Sequence, residues 1–384
     1  MSETTTAQIP GPSGAPTMKL GRLVSLDLFR GLTMFLLLAE GAGLYEAFNI
    51  FLPEGTFGHG IVRQFHHHPW NGLRFWDLIQ PFFMFIVGVA MWFSVHKRMA
   101  RGDSWRDISM HIYRRCLILL AFGVTLHIGY NNKLVWELWN VLSQLSVTIL
   151  IAFLIMRMPI RTQLVISFGL ILLTELLYRY TNIPGYDQPF VKDQNFGSYM
   201  DMVLMGKINP GGGWVAINFI PTAAHTIWGV LAGSLLADGV KTSREKIRLL
   251  LMAGAIGLVV GYGLDWTGIT PIIKRICTSS FVIVSGGWCL IALALTYWLI
   301  DVRDIKKGFN LFLIVGMNPI FVYVFMETIG KQWFNDFFHI FIRDSLGAWG
   351  IGEGIVAVLS AAITLAWVCY LAYWLYGKKI FIKV

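Results

Sequence analysis

Charge is scarce in this chain: 14% of its 384 residues are Asp, Glu, Lys or Arg, while 55% are hydrophobic. Soluble domains run near a quarter charged, so one water-soluble core is excluded. Cysteine is scarce as well. Cys116, Cys277, Cys289 and Cys369 lie in or beside apolar stretches without CxxC spacing. They read as small buried side chains, not as a disulfide or metal framework. No HExxH or Cys/His spacing accompanies the histidines, so no metal is expected. Residues 1–18 contain no Lys or Arg and are rich in Thr, Pro, Gly and Ser. A secretory signal needs a basic start and an apolar run. Residues 1–21 therefore read as a disordered leader, ahead of a single membrane domain over 22–384. No ten-residue alternating pattern recurs, which excludes a β-barrel. The absence of an internal repeat weighs against an inverted-repeat transporter.

What the chain does have is long apolar runs. A hydrocarbon core about 30 Å thick needs about 20 apolar residues per helix. That length predicts an all-α, polytopic membrane protein with ten spans: 25–44, 75–96, 113–130, 134–156, 162–180, 214–237, 248–266, 278–300, 309–332 and 351–377. Spans three and four would join through the short turn Asn131-Asn132-Lys133. An even count puts both termini on one side. The basic residues sort the same way, 21 of 31 falling on that side, from Lys19, Arg22 and Arg30 to Lys378, Lys379 and Lys383. The opposite loops, 45–74, 181–213 and 333–350, are longer yet less basic. Positive-inside bias thus predicts cytoplasmic termini. It also accounts for the net charge of +9 without nucleic acid. Loop 45–74 is apolar and aromatic but broken by Gly and Pro, which suits a re-entrant or interfacial segment.

Ionisable groups at membrane depth are costly and are site candidates by default. On the outer side these are Glu40, His66-His67-His68, Asp77, Lys274, Arg275 and Glu327. Duller roles exist for each. The histidines could be a solvated loop. Asp77 could cap its helix, and Lys274 and Arg275 could be interface anchors. Glu327 and Glu175 could serve bundle packing or be paired with a nearby base. A histidine beside a carboxylate, however, can take a proton from an attacking amine or carry an acyl group. On the inner side Asp27 and Arg30 stand at i, i+3 spacing, and Arg114 and Arg115 open span three. They are either anchors or a site for an anionic cytosolic ligand. Asn318, between Gly316-Met317 and Pro319, marks a kink that could wall a ligand or be purely structural. His225, alone in span six, reads as a satisfied interhelical hydrogen bond.

Several stretches together resemble the heparan-α-glucosaminide N-acetyltransferase family and its bacterial relatives linked to N-acetylglucosamine use. They are Arg22-Leu-Val-Ser-Leu-Asp27-Leu-Phe-Arg30-Gly31, Trp70-Asn71-Gly72-Leu73 with Asp77 and Pro81, and Arg115 with Gly123. PIIKRICTSSF over 271–281 and Gly316-Met317-Asn318 with Val322-Tyr323 complete the set. The resemblance implies acetyl-CoA as donor from the cytosol and an amino sugar as acceptor on the other side. It implies an active-site histidine three residues before Trp-Asn-Gly, which lands on His67, with Asp77 as the acidic partner. The family's glycosaminoglycan-acting member has Asn where Glu40 stands, and it carries a further lumenal domain and helix. These departures point away from heparan sulfate itself.

The expectation is a transmembrane acetyltransferase of a bacterial inner membrane. His67 would act as base or acyl carrier, oriented by Asp77. Glu40, Trp70, Asn71, Lys274 and Asn318 would meet the substrate, and Arg30 and Arg115 would hold CoA. The partners are CoA, a glucosamine-type sugar and the lipid bilayer, with a homodimer left open. The alternative is a multi-pass transporter of a sugar such as N-acetylglucosamine.

Overall fold

The computed structural model describes residues 8–9, 18–19, 21, 23–347 and 349–382. Most of the leader, Arg22 and Lys383 lie outside the described residues. Within the leader, Gln8–Ile9 pairs antiparallel with Met18–Lys19. Everything larger is helical, as the apolar runs require. The helices are α1 Val24–Gly41, α2 Leu44–Phe51, α3 Phe57–Val62, α4 Ile79–Ala100, α5 Trp105–Asn131, α6 Val141–Ile155, α7 Ile160–Tyr180 and α8 Phe196–Met205. There follow α9 Phe219–Ala237, α10 Ser243–Trp266, α11 Ser279–Tyr297, α12 Asn310–Val315, α13 Pro319–Phe325, α14 Asn335–Gly347 and α15 Glu353–Gly377.

Among the described residues seven helical stretches are long and apolar enough to cross a bilayer, and α1 with α2, bent by 57°, pass the same test only when taken together. Two of the ten expected spans come out differently. The stretch 134–156 becomes α6, which at 15 residues is about 22 Å long and short of a hydrocarbon core. Its connection to α5 is also not a three-residue turn. Asn132 ends α5 in the left-handed region at φ 50°, and the chain stays non-helical until Asn140 caps α6 through the Leu142 N–H. Within this stretch lies Glu137, an ionisable group that the hydropathy window absorbed and that meets polar partners here. The stretch 309–332 is divided at Gly316-Met317-Asn318 into α12 and α13, as Pro319 requires. A π-helical segment, Met326–Phe334, then leads into α14. Loop 45–74 is mostly short helix: α2, α3 and a 3-10 turn at Arg63–Phe65.

The contacts resolve into two compact units. One comprises Met1–Leu26, Pro69–Leu73 and Gln80–Asp304. Within it α9 is the core, 72% buried along its apolar window, whereas α10 is 17% buried and presents an apolar face outward, as a lipid-facing helix does. Close packing there uses small residues: a Cβ on Gly254 would lie 2.9 Å from the Gly287 carbonyl. The Thr242–Glu245 capping box starts α10. His225, fully buried on α9, makes the expected interhelical hydrogen bonds through Nε2, to the Val282 carbonyl (3.1 Å) and the Ser285 hydroxyl (2.9 Å). All four cysteines are buried and unpaired. The second unit comprises Asp27–His68, Arg74–Ile79 and Ile305–Val384, with α15 packed along α2, α12 and α14.

Candidate active site

In the second unit, a 3-10 turn over Phe75–Leu78 leads the chain into α4. It buries Asp77 to 1% exposure, a position in which a carboxylate must be fully hydrogen-bonded. Its Oδ2 accepts the Arg74 backbone N–H at 2.9 Å and the His68 backbone N–H at 3.3 Å. Its Oδ1 lies 2.9 Å from His67 Nδ1. An ionised carboxylate can only accept, so the imidazole donates from Nδ1 and its Nε2 carries the lone pair. The Arg74 guanidinium donates to the His67 carbonyl at 3.0 Å, closing the loop on itself. The His67 side chain remains 35% exposed. Its neighbour His66 accepts a hydrogen bond at Nε2 from the Asn49 amide, at 3.1 Å. Asp77 thus both caps its turn and orients a ring. The two readings of that residue are compatible.

A polar cavity of about 380 Å³ in the same unit is lined by Asn49, Glu54, His59, Arg63, His66 and Arg74, of which His66 adjoins His67 in the chain and Arg74 holds its carbonyl. Apart from His66, sequence reasoning did not single these residues out. Their signal was present as polar residues interrupting an aromatic run, but spacing alone does not show which face they share.

Other expected residues gather elsewhere in the same unit. Lys331 pairs with Glu327 at 2.8 Å across one turn of the π-helical segment and reaches Glu40 at 3.5 Å. Glu40 and Glu327 therefore share a cation. Arg30 donates from Nη2 to Asp27 (2.8 Å) and from Nε to the Gly316 carbonyl (2.7 Å), which fixes its guanidinium beside the α12–α13 break. A Cβ on Gly316 would lie 2.9 Å from the Asp27 carbonyl, so the close approach of α1 to this break requires glycine. Asn318 is fully buried and both ends of its amide are engaged. Nδ2 donates to the Ile380 carbonyl (2.9 Å), and Oδ1 accepts the Ile382 N–H (2.8 Å). It pins the chain beyond α15.

The first unit holds the remaining expected residues. Lys274 and Arg275 lie over the Trp214 ring, at 5.2 and 5.4 Å from its centroid. Arg275 also donates to the Gly212 carbonyl, and Gly213 adopts φ 76°. Trp70 donates from its indole to the Phe190 carbonyl at 2.8 Å, while Asn71 is exposed beside it. Arg115 is half-buried on α5. Glu175, read as packing or paired, bonds Arg179, Thr270 and Ser279.

The same unit contains two constellations that sequence reasoning missed. Glu137 accepts from His127 Nδ1 and from Lys207 Nζ, each at 2.5 Å. Burial alone would raise this carboxyl, but the bonds from Lys207 and His127 prevail and hold it below its ordinary range. Asp201 on α8 is fully buried and accepts the Ala216 N–H (2.8 Å) and the Trp139 indole N–H (2.7 Å). Burial pushes its carboxyl up to about 7, against the pull of those two donors.

Over 94% of its length the chain is similar to heparan-alpha-glucosaminide N-acetyltransferase from Homo sapiens, at 26% identity across 429 aligned positions. The Mus musculus protein of the same name matches at 24% identity, again over 94% of the chain. The family resemblance read from the motifs is thereby borne out. The chain spans about 60% of the length of these relatives. No protein-family model matches it.

Proposed function

We propose that the chain is a transmembrane acetyltransferase that moves an acetyl group from acetyl-CoA to the amine of a glucosamine-type sugar. The observation that carries this reading is the His67–Asp77 pair, with a buried carboxylate on Nδ1 and Nε2 opposite it. Neutral His67 can take the proton from the acceptor amine as nitrogen attacks the thioester carbonyl; the C–N bond forms, the C–S bond breaks and CoA leaves as the thiol. The same Nε2 can instead accept the acetyl group first, releasing CoA, and pass it to the amine in a second step. In both routes Asp77 holds the tautomer and stabilises the imidazolium. The polar cavity in the same unit supports an acceptor with several hydroxyls and an amine, since it offers a carboxylate, an amide and two guanidiniums.

Acetyl-CoA supplies the activated acetyl group. Arg30 and Arg115 are the proposed holders of its phosphates. The guanidinium plane of Arg30 is set by Asp27 and the Gly316 carbonyl. Glu40, Trp70, Asn71, Lys274 and Asn318 are the proposed substrate contacts; of these, Asn318 already spends both ends of its amide on the chain itself. We place both termini in the cytoplasm of a bacterial inner membrane, on the basic-residue bias, and the acceptor on the other side.

The test uses purified protein in detergent. Acetyl-CoA should raise its melting temperature as linkage requires, and His67→Ala should abolish acetyl transfer without losing that shift. No shift at millimolar ligand would sink the proposal. Acid quenching with labelled acetyl-CoA separates the two routes, since only the second leaves label on the protein. A sugar transporter is the second reading. The 57° bend between α1 and α2 and the break at 316–318 are what favour it. Substrate uptake into vesicles without any transferase activity would select it.

A further inference from the structure

The first unit contains a second cavity, of about 330 Å³, lined by none of the residues proposed above for catalysis or binding. Its walls come from the C-terminal parts of α4 and α9, the Met156–Pro159 turn after α6 and the first turn of α7. The first turns of α5 and α7 reach it as well as the far ends of α4 and α9, so the helix dipoles oppose one another and the side chains decide what it binds. Most of the wall is apolar, with Val95, Met99, Met156, Ile160, Val230 and Leu231 along it.

Two polar groups inside lack what such a site would supply. Gln163 is 4% exposed, and its Nε2 donates to the Met156 carbonyl (3.2 Å) and the Met158 carbonyl (2.8 Å). That assignment leaves Oε1 as an acceptor, and it is buried with no hydrogen-bond partner in the protein. An unmet buried acceptor is unfavourable, so a donor from outside is favoured. His96 donates from Nδ1 to the Trp92 carbonyl at 2.8 Å, which turns Nε2 into a second acceptor. At the exposed rim stands Arg157, its guanidinium 4.7 Å from the centre of the Trp105 ring.

We propose that this cavity binds the headgroup of an ethanolamine phospholipid: the primary ammonium enters and donates to Gln163 Oε1, and the phosphate stays at the rim on Arg157. The site has acceptors inside and a cation outside, the reverse order of charge to that headgroup. A choline headgroup has no N–H to donate and would need open aromatic faces instead. Those faces are taken: Phe153 stacks on Trp105 at 5.0 Å and Arg157 lies over the same ring, while His96 covers Trp92 at 3.9 Å. Apolar residues exposed next to the rim, Met158 and Ile160, suit the acyl chains. The proposal does not depend on the acetyltransferase reading.

The test is lipid retention by the full-length protein, extracted from vesicles of equal parts phosphatidylethanolamine and phosphatidylcholine and counted by native mass spectrometry. Phosphatidylethanolamine should be retained at least fivefold over phosphatidylcholine. Arg157→Ala should cut that preference severalfold, and Gln163→Leu should remove it. If Gln163→Leu does not fold, the rim variant and the lipid pair still decide, because Arg157 is exposed. Equal retention of the two lipids would overturn the proposal. So would displacement of the lipid by soluble glycerophosphoethanolamine at equal concentration, since the acyl chains would then contribute nothing.

Discussion

Among the described residues a histidine–carboxylate pair lies in each unit, and their distances are alike: 2.9 Å for His67–Asp77 and 2.5 Å for His127–Glu137. What differs is what else the carboxylate meets. Glu137 also takes the ammonium of Lys207 at 2.5 Å, so its charge is matched by a permanent cation before His127 gains a proton. Asp77 accepts from the His67 ring and from two backbone N–H groups of the turn it caps. Exposure runs the same way, 35% for the His67 side chain against 15% for His127. A close contact between the two residue types therefore does not mark a catalytic pair. The rest of the carboxylate's surroundings decides whether the contact clamps a loop or moves a proton.

The comparison breaks first on activity. His67→Ala should lower acetyl transfer by about 10²–10⁴-fold, the usual contribution of a positioned acid–base group, and His127→Ala should leave it within threefold when rates are measured per folded molecule. Equal losses would remove the distinction. Next in size, Asp77→Asn should lower kcat by at least tenfold with little change in KM for acetyl-CoA. The amide can still accept from Arg74 and His68 but cannot stabilise an imidazolium. A matching rise in KM would point to a disturbed loop instead. Glu137→Gln should act on stability, costing about 1–3 kcal/mol in denaturant unfolding by leaving Lys207 and His127 without their anion. A cost as large in Asp77→Asn would erase the contrast. The smallest effect concerns pH. The Glu137 carboxyl sits below its ordinary value of 4.5, so its stabilisation is present above that value and is lost as pH falls through the lower folded one. The acid limb of the melting-temperature profile should therefore be steeper in wild type than in Glu137→Gln.

The fold was legible wherever hydropathy alone decides. Apolar runs such as 278–300 and 351–377 map onto α11 and α15 within a few residues, because a long apolar helix has no other solvent to choose. Legibility failed where one polar residue found distant partners. Nothing local announces that Glu137, in the non-helical stretch before α6, meets Lys207, 70 positions later. The break at Pro319 was readable as a kink, whereas the partner of Asn318 was not, since it lies beyond α15. At the candidate site the His67–Asp77 pairing followed from resemblance and local spacing. The polar cavity of the same unit did not, because Asn49, Glu54 and Arg63 come together only once α2, α3 and the 3-10 turn fold back on one another.

Asn318 has a practical meaning that its hydrogen bonds alone do not suggest. By holding residues 380 and 382 with both ends of one amide, it ties the weakest point of the α12–α13 passage to a segment experimenters commonly handle. A reporter fused directly after that segment would pull on a buried joint inside the protein, and a cut before Ile380 would leave both amide groups of Asn318 buried without their mates. Fusions made to read the orientation of this chain in the membrane thus need a flexible spacer after residue 382, or they will report on a molecule whose own latch has been lifted.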